Sequence, residues 1–346
     1  MNEPRRISIL GTGQMGLVMS MIALNGGAED QPAPEVTVWG RAEDDAGELA
    51  QTRRSGRLPG FVLPDAVRVT IRERDAVRNA DLIISAIPVQ HIRSAWTRLA
   101  GLVPPQAGIV SVAKGIETGT LLRPTQVIQD ILGDNPDAPP RPVGALSGPT
   151  IAQELARCLP ATMIAASDQP DFARTIQVAF STSWMRVYTN ADMLGVELAG
   201  ATKNVIAIAA GILDGLQAGN NAKSALLARG LAEIARLGSA MGASVDTFFG
   251  IAGVGDLATT CFSPEGRNRS CGEALGRGEK LGAYLARSPF VVEGVETTRA
   301  VVALAEKFRV DMPITQAVHA VLFEGMDPIE GIARLMGRPL RNERVV

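Results

Sequence analysis

From residue 6 to residue 187 the chain repeats one pattern: a short run of apolar, mostly β-branched residues, then a stretch with helical spacing. The runs fall at 7–10, 36–39, 67–71, 82–86, 108–112, 143–147, 161–165 and 184–187. Short apolar runs separated by helical stretches are the mark of βαβ units, whose strands are covered on both faces and pair mostly in parallel. After about Met193 the alternation stops, and Ala, Leu and Gly recur with helical periodicity through Gly337. The pattern predicts an α/β N-terminal domain on a mostly parallel sheet over residues 1–190 and an all-α C-terminal domain over residues 191–346, joined by a short polar link at 189–192. A length of 346 residues suits two cores. Residues 133–142, with four prolines, read as a surface loop, 26–35 as an unusually long connection, and the charged tail 338–346 as loosely held.

One polar residue breaks the helical pattern of the second half. In Gly195-Val-Glu-Leu-Ala-Gly-Ala-Thr-Lys-Asn-Val-Ile-Ala-Ile-Ala-Ala-Gly211, Lys203 has Ala199 and Gly200 one turn before it and Ile206 and Ala207 one turn after. An ammonium against apolar walls is costly unless partnered, and desolvation lowers its pKa toward the range where a lysine exchanges protons near neutral pH. The alternative is a lysine that snorkels out at the rim of the core.

Composition narrows the classes. A formal net charge of -2 with scattered Lys and Arg leaves no basic face for nucleic acid. The 46% hydrophobic fraction contains no run of 18 apolar residues and the first residues have no signal-like apolar stretch, so no membrane span and a cytoplasmic location are expected. Three cysteines, Cys158, Cys261 and Cys271, fit no zinc spacing, and with only two histidines neither a disulfide framework nor a metal site is expected.

The glycines and strand ends carry the chemistry. Gly11-Thr-Gly-Gln-Met-Gly16 follows the first strand and opens a helix, the context a dinucleotide fingerprint requires: Gly11 for the tight turn, Gly13 for close backbone approach to a pyrophosphate, Gly16 for helix packing. This motif makes the N-terminal domain Rossmann-like. The second strand ends Trp39-Gly40-Arg41, and Arg41 suits a ribose 2′-phosphate better than a bare ribose, which favours NADP, while Glu43, Asp44 and Asp45 close behind leave NAD open. Lys114, in Ser111-Val-Ala-Lys-Gly115, and Gly148 with Thr150, in Leu146-Ser-Gly-Pro-Thr150, lie at the carboxyl edge where open α/β sheets bind ligands. In the helical half, Asp256 of Gly253-Val-Gly-Asp256 is placed to hold Lys203. Arg267 and Asn268, after Gly266, are a planar fork and a donor suited to an anion.

Taken with Ala113-Lys-Gly-Ile-Glu117, Glu197-Leu-Ala-Gly-Ala-Thr-Lys-Asn204 and Val292-Glu-Gly-Val295, these motifs closely resemble, in order and across almost the whole chain, the NAD(P)-dependent sn-glycerol-3-phosphate dehydrogenase family. The resemblance implies that Lys203 is the catalytic acid/base; that Lys114, Gly148 and Thr150 hold substrate; and that Asp256, Gly266, Arg267 and Asn268 complete the site. It further implies cofactor contacts from Gln14, Met15, Arg41, Lys114, Ala152, Arg267, Val291 and Glu293, and no metal. Dihydroxyacetone phosphate and sn-glycerol 3-phosphate are the implied substrates, supply of glycerol phosphate for phospholipid synthesis the implied role, and a homodimer the expected assembly. Gln14-Met15 stands where the family commonly has Ser-Trp, and Thr150 and Gly266 stand where serines are frequent. A hydroxy-acid or ketopantoate-type dehydrogenase and a non-catalytic dinucleotide sensor are the competing readings.

Overall fold

The structure, a computed structural model, describes residues 4–27, 31–133, 140–340 and 342–343. Parts of the 26–35 connection, the 133–142 loop and the 338–346 tail therefore lie outside the described residues. The chain divides into two compact units, residues 1–113 with 124–193, and residues 114–123 with 194–346. The division differs from the boundary read off the sequence, because the segment Lys114–Arg123 packs with the helical unit.

In the first unit eight strands, β1 (Arg6–Leu10), β2 (Glu35–Trp39), β3 (Arg68–Thr70), β4 (Leu82–Ser85), β5 (Gly108–Ser111), β6 (Val143–Ser147), β7 (Ala161–Ala166) and β8 (Met185–Asn190), form one sheet in the order β3-β2-β1-β4-β5-β6-β7-β8. All pairings are parallel except β6 with β7. Ile7 sits opposite Val36 on one side and Leu82 on the other, so β1 is central, and helices on both faces bury the apolar runs that marked these strands. Strand order reverses between β1 and β4, the switch point at whose carboxyl side such sheets bind dinucleotides. There Gly11 has φ +119°, and a Cβ on it would stand 2.7 Å from the Ala86 carbonyl oxygen. Only glycine fits both conditions.

The second unit is built around the helix Met193–Gly215. It is the one described helix long and apolar enough to cross a membrane, with mean hydropathy 1.5, yet 94% of its apolar window is buried inside the protein. Its second half touches the helix Arg267–Gly276 backbone to backbone. A Cβ on Gly211 would stand 1.9 Å from the Arg269 carbonyl oxygen, and one on Gly272 2.0 Å from that of Ile208. Gly215 and Gly276 continue the contact one turn on, with spacings of 2.3 and 2.5 Å to the carbonyls of Glu273 and Ile212. Glycine inside a helix costs about 1 kcal/mol relative to alanine, so four of them at one crossing are explained by the close approach they allow.

A buried carboxylate fastens another pair of helices. Glu233, on Gly219–Met241, is 2% exposed and accepts hydrogen bonds from the backbone N–H of Ile314 (2.7 Å) and Thr315 (3.2 Å) at the start of helix Pro313–Phe323. Burial nevertheless outweighs these bonds and pushes its carboxyl up to about 7. A carboxyl raised in the folded state favours folding while protonated. Its contribution is present below the ordinary glutamate range and is lost as pH rises toward 7. Thermal melts are therefore expected to show a stability decrement between about pH 4.5 and 7 that Glu233→Gln, which still accepts one N–H, removes; an unchanged pH slope in the variant would refute it.

Candidate active site

Two groups of side chains stand out, one on each unit. In the helical unit Lys203 lies at mid-length of Met193–Gly215 and is 6% exposed, which excludes the snorkelling alternative. Its Nζ donates to Asp256 Oδ1 at 2.5 Å and to the Thr260 hydroxyl. Asp256 opens the helix Asp256–Phe262, directly after a π-helical turn over Ile251–Gly255 that packs so tightly on Phe248 that a Cβ at Gly253 would stand 2.0 Å from the Phe248 carbonyl. Being i and i+4, Asp256 and Thr260 share one face, and that face meets Lys203. The other oxygen of Asp256 takes Lys114 Nζ at 2.7 Å. A single carboxylate, 1% exposed, thus bridges two ammonium groups.

The segment carrying Lys114 is tied down at both ends. Asn204, next to Lys203, donates to the Lys114 carbonyl at 3.1 Å, and Arg123 meets Glu197 at 2.5 Å in a largely buried ion pair. Glu197, Lys203 and Asn204 all belong to the same helix, so one rigid element registers the whole cluster. Burial pushes the Lys203 ammonium down to about 8; the attraction of Asp256 opposes this and the repulsion of Lys114 adds to it. A lysine so placed holds a proton it can give up near neutral pH.

Near this cluster the helix Arg267–Gly276 presents Arg267, exposed, whose guanidinium reaches the Val291 carbonyl at 3.4 Å. Asn268 is buried, and its Oδ1 accepts the Gly294 N–H at 2.9 Å, joining this helix to the start of Glu293–Phe308. A Cβ on Gly294 would stand 2.8 Å from the Asn204 carbonyl, so this junction touches the Lys203 helix as well. Burial raises the Glu293 carboxyl above its ordinary value, against the pull of Arg267, Lys114 and Lys203. Gly266 caps the Arg267 helix in an extended conformation, and Val291 is 47% exposed.

In the first unit the turn after β1 fits a dinucleotide. A Cβ on Gly16 would stand 2.0 Å from the Gly11 carbonyl, which leaves glycine as the residue that closes the turn, whereas Gly13 has nothing within 4 Å of its Cβ direction. The helix Gln14–Asn25 begins without a side-chain cap, so its first N–H groups keep the capacity to bind a phosphate. Gln14 donates to the Arg57 carbonyl at 2.8 Å, and Met15 packs on the core of this unit. Arg41 grips Asp44 in a two-pronged pair, with both N–O distances 2.7 Å. At the end of β6, Gly148 has φ +132° and its carbonyl accepts the Thr150 hydroxyl at 3.1 Å; Ala152 opens the short helix Ala152–Ala156.

The structure thus brings Lys203, Asp256 and Lys114 together and sets Arg267, Asn268 and Glu293 in the same unit, with the Glu293 carboxyl within the field of Arg267, Lys114 and Lys203. Gly11, Gly13, Gln14, Met15, Gly16, Arg41, Gly148, Thr150 and Ala152 lie on the first unit. The sequence reading treated Lys114 as an anion anchor and missed its pairing with Asp256. It missed Thr260 too, although the i, i+4 spacing from Asp256 was there to be read.

The family profile described as the NAD-dependent glycerol-3-phosphate dehydrogenase N-terminus matches residues 6–173, and the corresponding C-terminus profile matches residues 192–333. The chain belongs to the NAD-dependent glycerol-3-phosphate dehydrogenase family. It is 41% identical over 338 residues to a glycerol-3-phosphate dehydrogenase [NAD(P)+] of Mycobacterium tuberculosis, covering 97% of this chain and 98% of that protein. The crystal structure of the glycerol-3-phosphate dehydrogenase from Coxiella burnetii superposes with a TM-score of 0.89 at 33% identity, over 96% of this chain and 99% of the other. A ketopantoate reductase from Ralstonia eutropha, at TM-score 0.60 and 15% identity over 94% of this chain and 99% of the other, shares the fold alone. As a glycerol-3-phosphate dehydrogenase family member the chain is an NAD(P)-dependent oxidoreductase. No group of three potential metal-ligating side chains occurs among the described residues.

Proposed function

We propose that Lys203 is the general acid/base of this dehydrogenase, interconverting dihydroxyacetone phosphate and sn-glycerol 3-phosphate. The observation that carries this reading is the buried ammonium on Asp256, brought down to about 8. When bound, the nicotinamide supplies or accepts the hydride. Lys203 donates its proton to the carbonyl oxygen as negative charge develops there, and in the oxidative direction the neutral amine takes the hydroxyl proton. Asp256 orients Lys203 and stabilises its charged form, while Lys114, on the far oxygen of the same carboxylate, keeps the ammonium acidic. The exposed fork of Arg267, beside Asn268, anchors the phosphate, and Gly148 and Thr150 contribute a backbone group and a hydroxyl. Binding energy at the phosphate then serves to fix the reacting carbon.

Gly11, Gly13, Gly16 and the uncapped helix behind them would hold the pyrophosphate, and Arg41 would serve the ribose end of the cofactor. Ala152, Val291 and Glu293 are assigned to the cofactor on the family resemblance, as is the supply of glycerol phosphate for phospholipids; a cytoplasmic homodimer completes the reading. Purified protein is expected to consume absorbance at 340 nm with dihydroxyacetone phosphate and either NADPH or NADH, and not with ketopantoate. Activity on ketopantoate alone would refute the substrate assignment.

A further inference from the structure

Next to the glycine turn the first unit contains a charge arrangement that the catalytic reading does not use. Asp44 ends the short 3-10 turn Ala42–Asp44 that follows β2, and both of its oxygens are engaged by the Arg41 fork. A second guanidinium, that of Arg57, stands 3.9 Å from Asp44 Oδ1. The arrangement is fastened to the dinucleotide turn itself. The Thr12 hydroxyl donates to the Asp44 carbonyl at 3.1 Å, and Gln14 donates to the Arg57 carbonyl at 2.8 Å. Room at the back is tight, since a Cβ on Gly40 would stand 2.5 Å from the Thr12 side chain. Two arginines therefore converge on one carboxylate at the end of the second strand, where a dinucleotide places its adenosine ribose.

We propose that Asp44 sets the balance between NAD and NADP: its carboxylate occupies the Arg41 fork, flanked by Arg57, and a ribose 2′-phosphate binds by taking the place of that carboxylate.

A planar guanidinium takes carboxylate and phosphate oxygens with the same two-pronged geometry, so one anion substitutes for the other without moving the fork. The Arg41 guanidinium holds the Asp44 carboxyl below its usual range, so Asp44 is ionised at neutral pH and competes at full charge. For a bare ribose nothing need be displaced, and the pair stays closed. For a 2′-phosphate the gain from two arginines is offset by the release of Asp44, which remains nearby as a like charge; specificity then arises as much from this repulsive element as from the attraction. The native protein is accordingly expected to accept both cofactors with modest discrimination. Glu43, 3.5 Å from Arg41 and 65% exposed, is too solvated to play the same part.

This inference rests on reading the Gly11–Gly16 turn as the dinucleotide site, and the test separates the two. Binding of NADP+, NAD+, 2′,5′-ADP and 5′-ADP is measured by calorimetry on the full chain, without turnover. Asp44→Asn is expected to tighten NADP+ and 2′,5′-ADP by about tenfold, leave NAD+ and 5′-ADP within about twofold, and steepen the salt dependence of the phosphorylated pair. Arg57→Ala is expected to weaken only the 2′-phosphorylated ligands, and Glu43→Gln to leave the ratio unchanged. An unaltered NADP+/NAD+ ratio in Asp44→Asn, or an equal change in both, overturns the proposal while leaving the dinucleotide site standing. Failure of native protein to bind either dinucleotide overturns both.

Discussion

Lys203→Ala is expected to lower turnover by about a thousandfold while leaving the affinity for the dinucleotide close to native, because the substitution removes a proton donor and no cofactor contact. The buried position makes a second readout available. In the native protein the rate of ketone reduction should fall as pH rises through about 8, where Lys203 loses its proton, and the oxidation rate should rise over the same interval. Removing Lys114 as Lys114→Met takes away the neighbouring positive charge that helps depress Lys203, and both limbs should move to higher pH. Besides burial, the charged groups that act on Lys203 are Asp256, which favours its charged form, and Lys114, which opposes it; the Cys261 thiol, pushed up to about 12, stays neutral over this range, and Glu293 lies close enough to feel the charge of Lys203. Stopped-flow rates over pH 6–10 check the shift. An alanine variant with near-native turnover would remove Lys203 from the mechanism.

The second large effect is on stability. Gly272→Ala places a methyl group 2.0 Å from the Ile208 carbonyl, and the atom in the way is backbone on a rigid helix. No rotamer change relieves this contact, so the helices must separate, at a cost of about 3 kcal/mol or more. Gly282 supplies the comparison: it is also helical, but nothing lies within 4 Å of its Cβ direction, and Gly282→Ala should be neutral or stabilising by about 1 kcal/mol. Urea midpoints of the two variants decide the matter. Equal midpoints would show that the crossing yields freely. Because Asn268 lies one turn before Gly272 and holds Gly294, loss of substrate affinity should accompany the loss of stability.

Much of this was legible in the chain because parallel strands buried on two faces must be continuously apolar. All eight appear as runs, and the ends move by no more than three residues. The antiparallel placement of β7 against β6 was not legible, since the apolar pattern of a covered strand carries no direction. Lys203 announced itself by being the wrong residue in an apolar stripe. Its partner Asp256 was suggested by chemistry alone, 53 residues away. The attachment of Lys114–Arg123 to the helical unit rests on distant pairs, Lys114 with Asp256 and Arg123 with Glu197 across 74 residues, that no local spacing reveals. Asp44 shows a different failure. The i, i+3 relation to Arg41 is local and visible, but with Glu43 and Asp45 on either side nothing in the string distinguished the carboxylate that takes both prongs of the fork.

The helix Met193–Gly215 carries Glu197, Lys203 and Asn204 in the same stretch as the glycines that seat it against Arg267–Gly276. Chemistry and architecture are therefore inherited together. A lineage drifting toward a new substrate has little latitude along this helix, because a shift or rotation of it that re-aims the ammonium would also disturb the close crossing at Gly211 and Gly215. The latitude lies elsewhere, in the exposed approaches around Arg267 and Val291 and in the turn after β2. Descendants of this scaffold should diversify in what they recognise long before they alter how they move a proton.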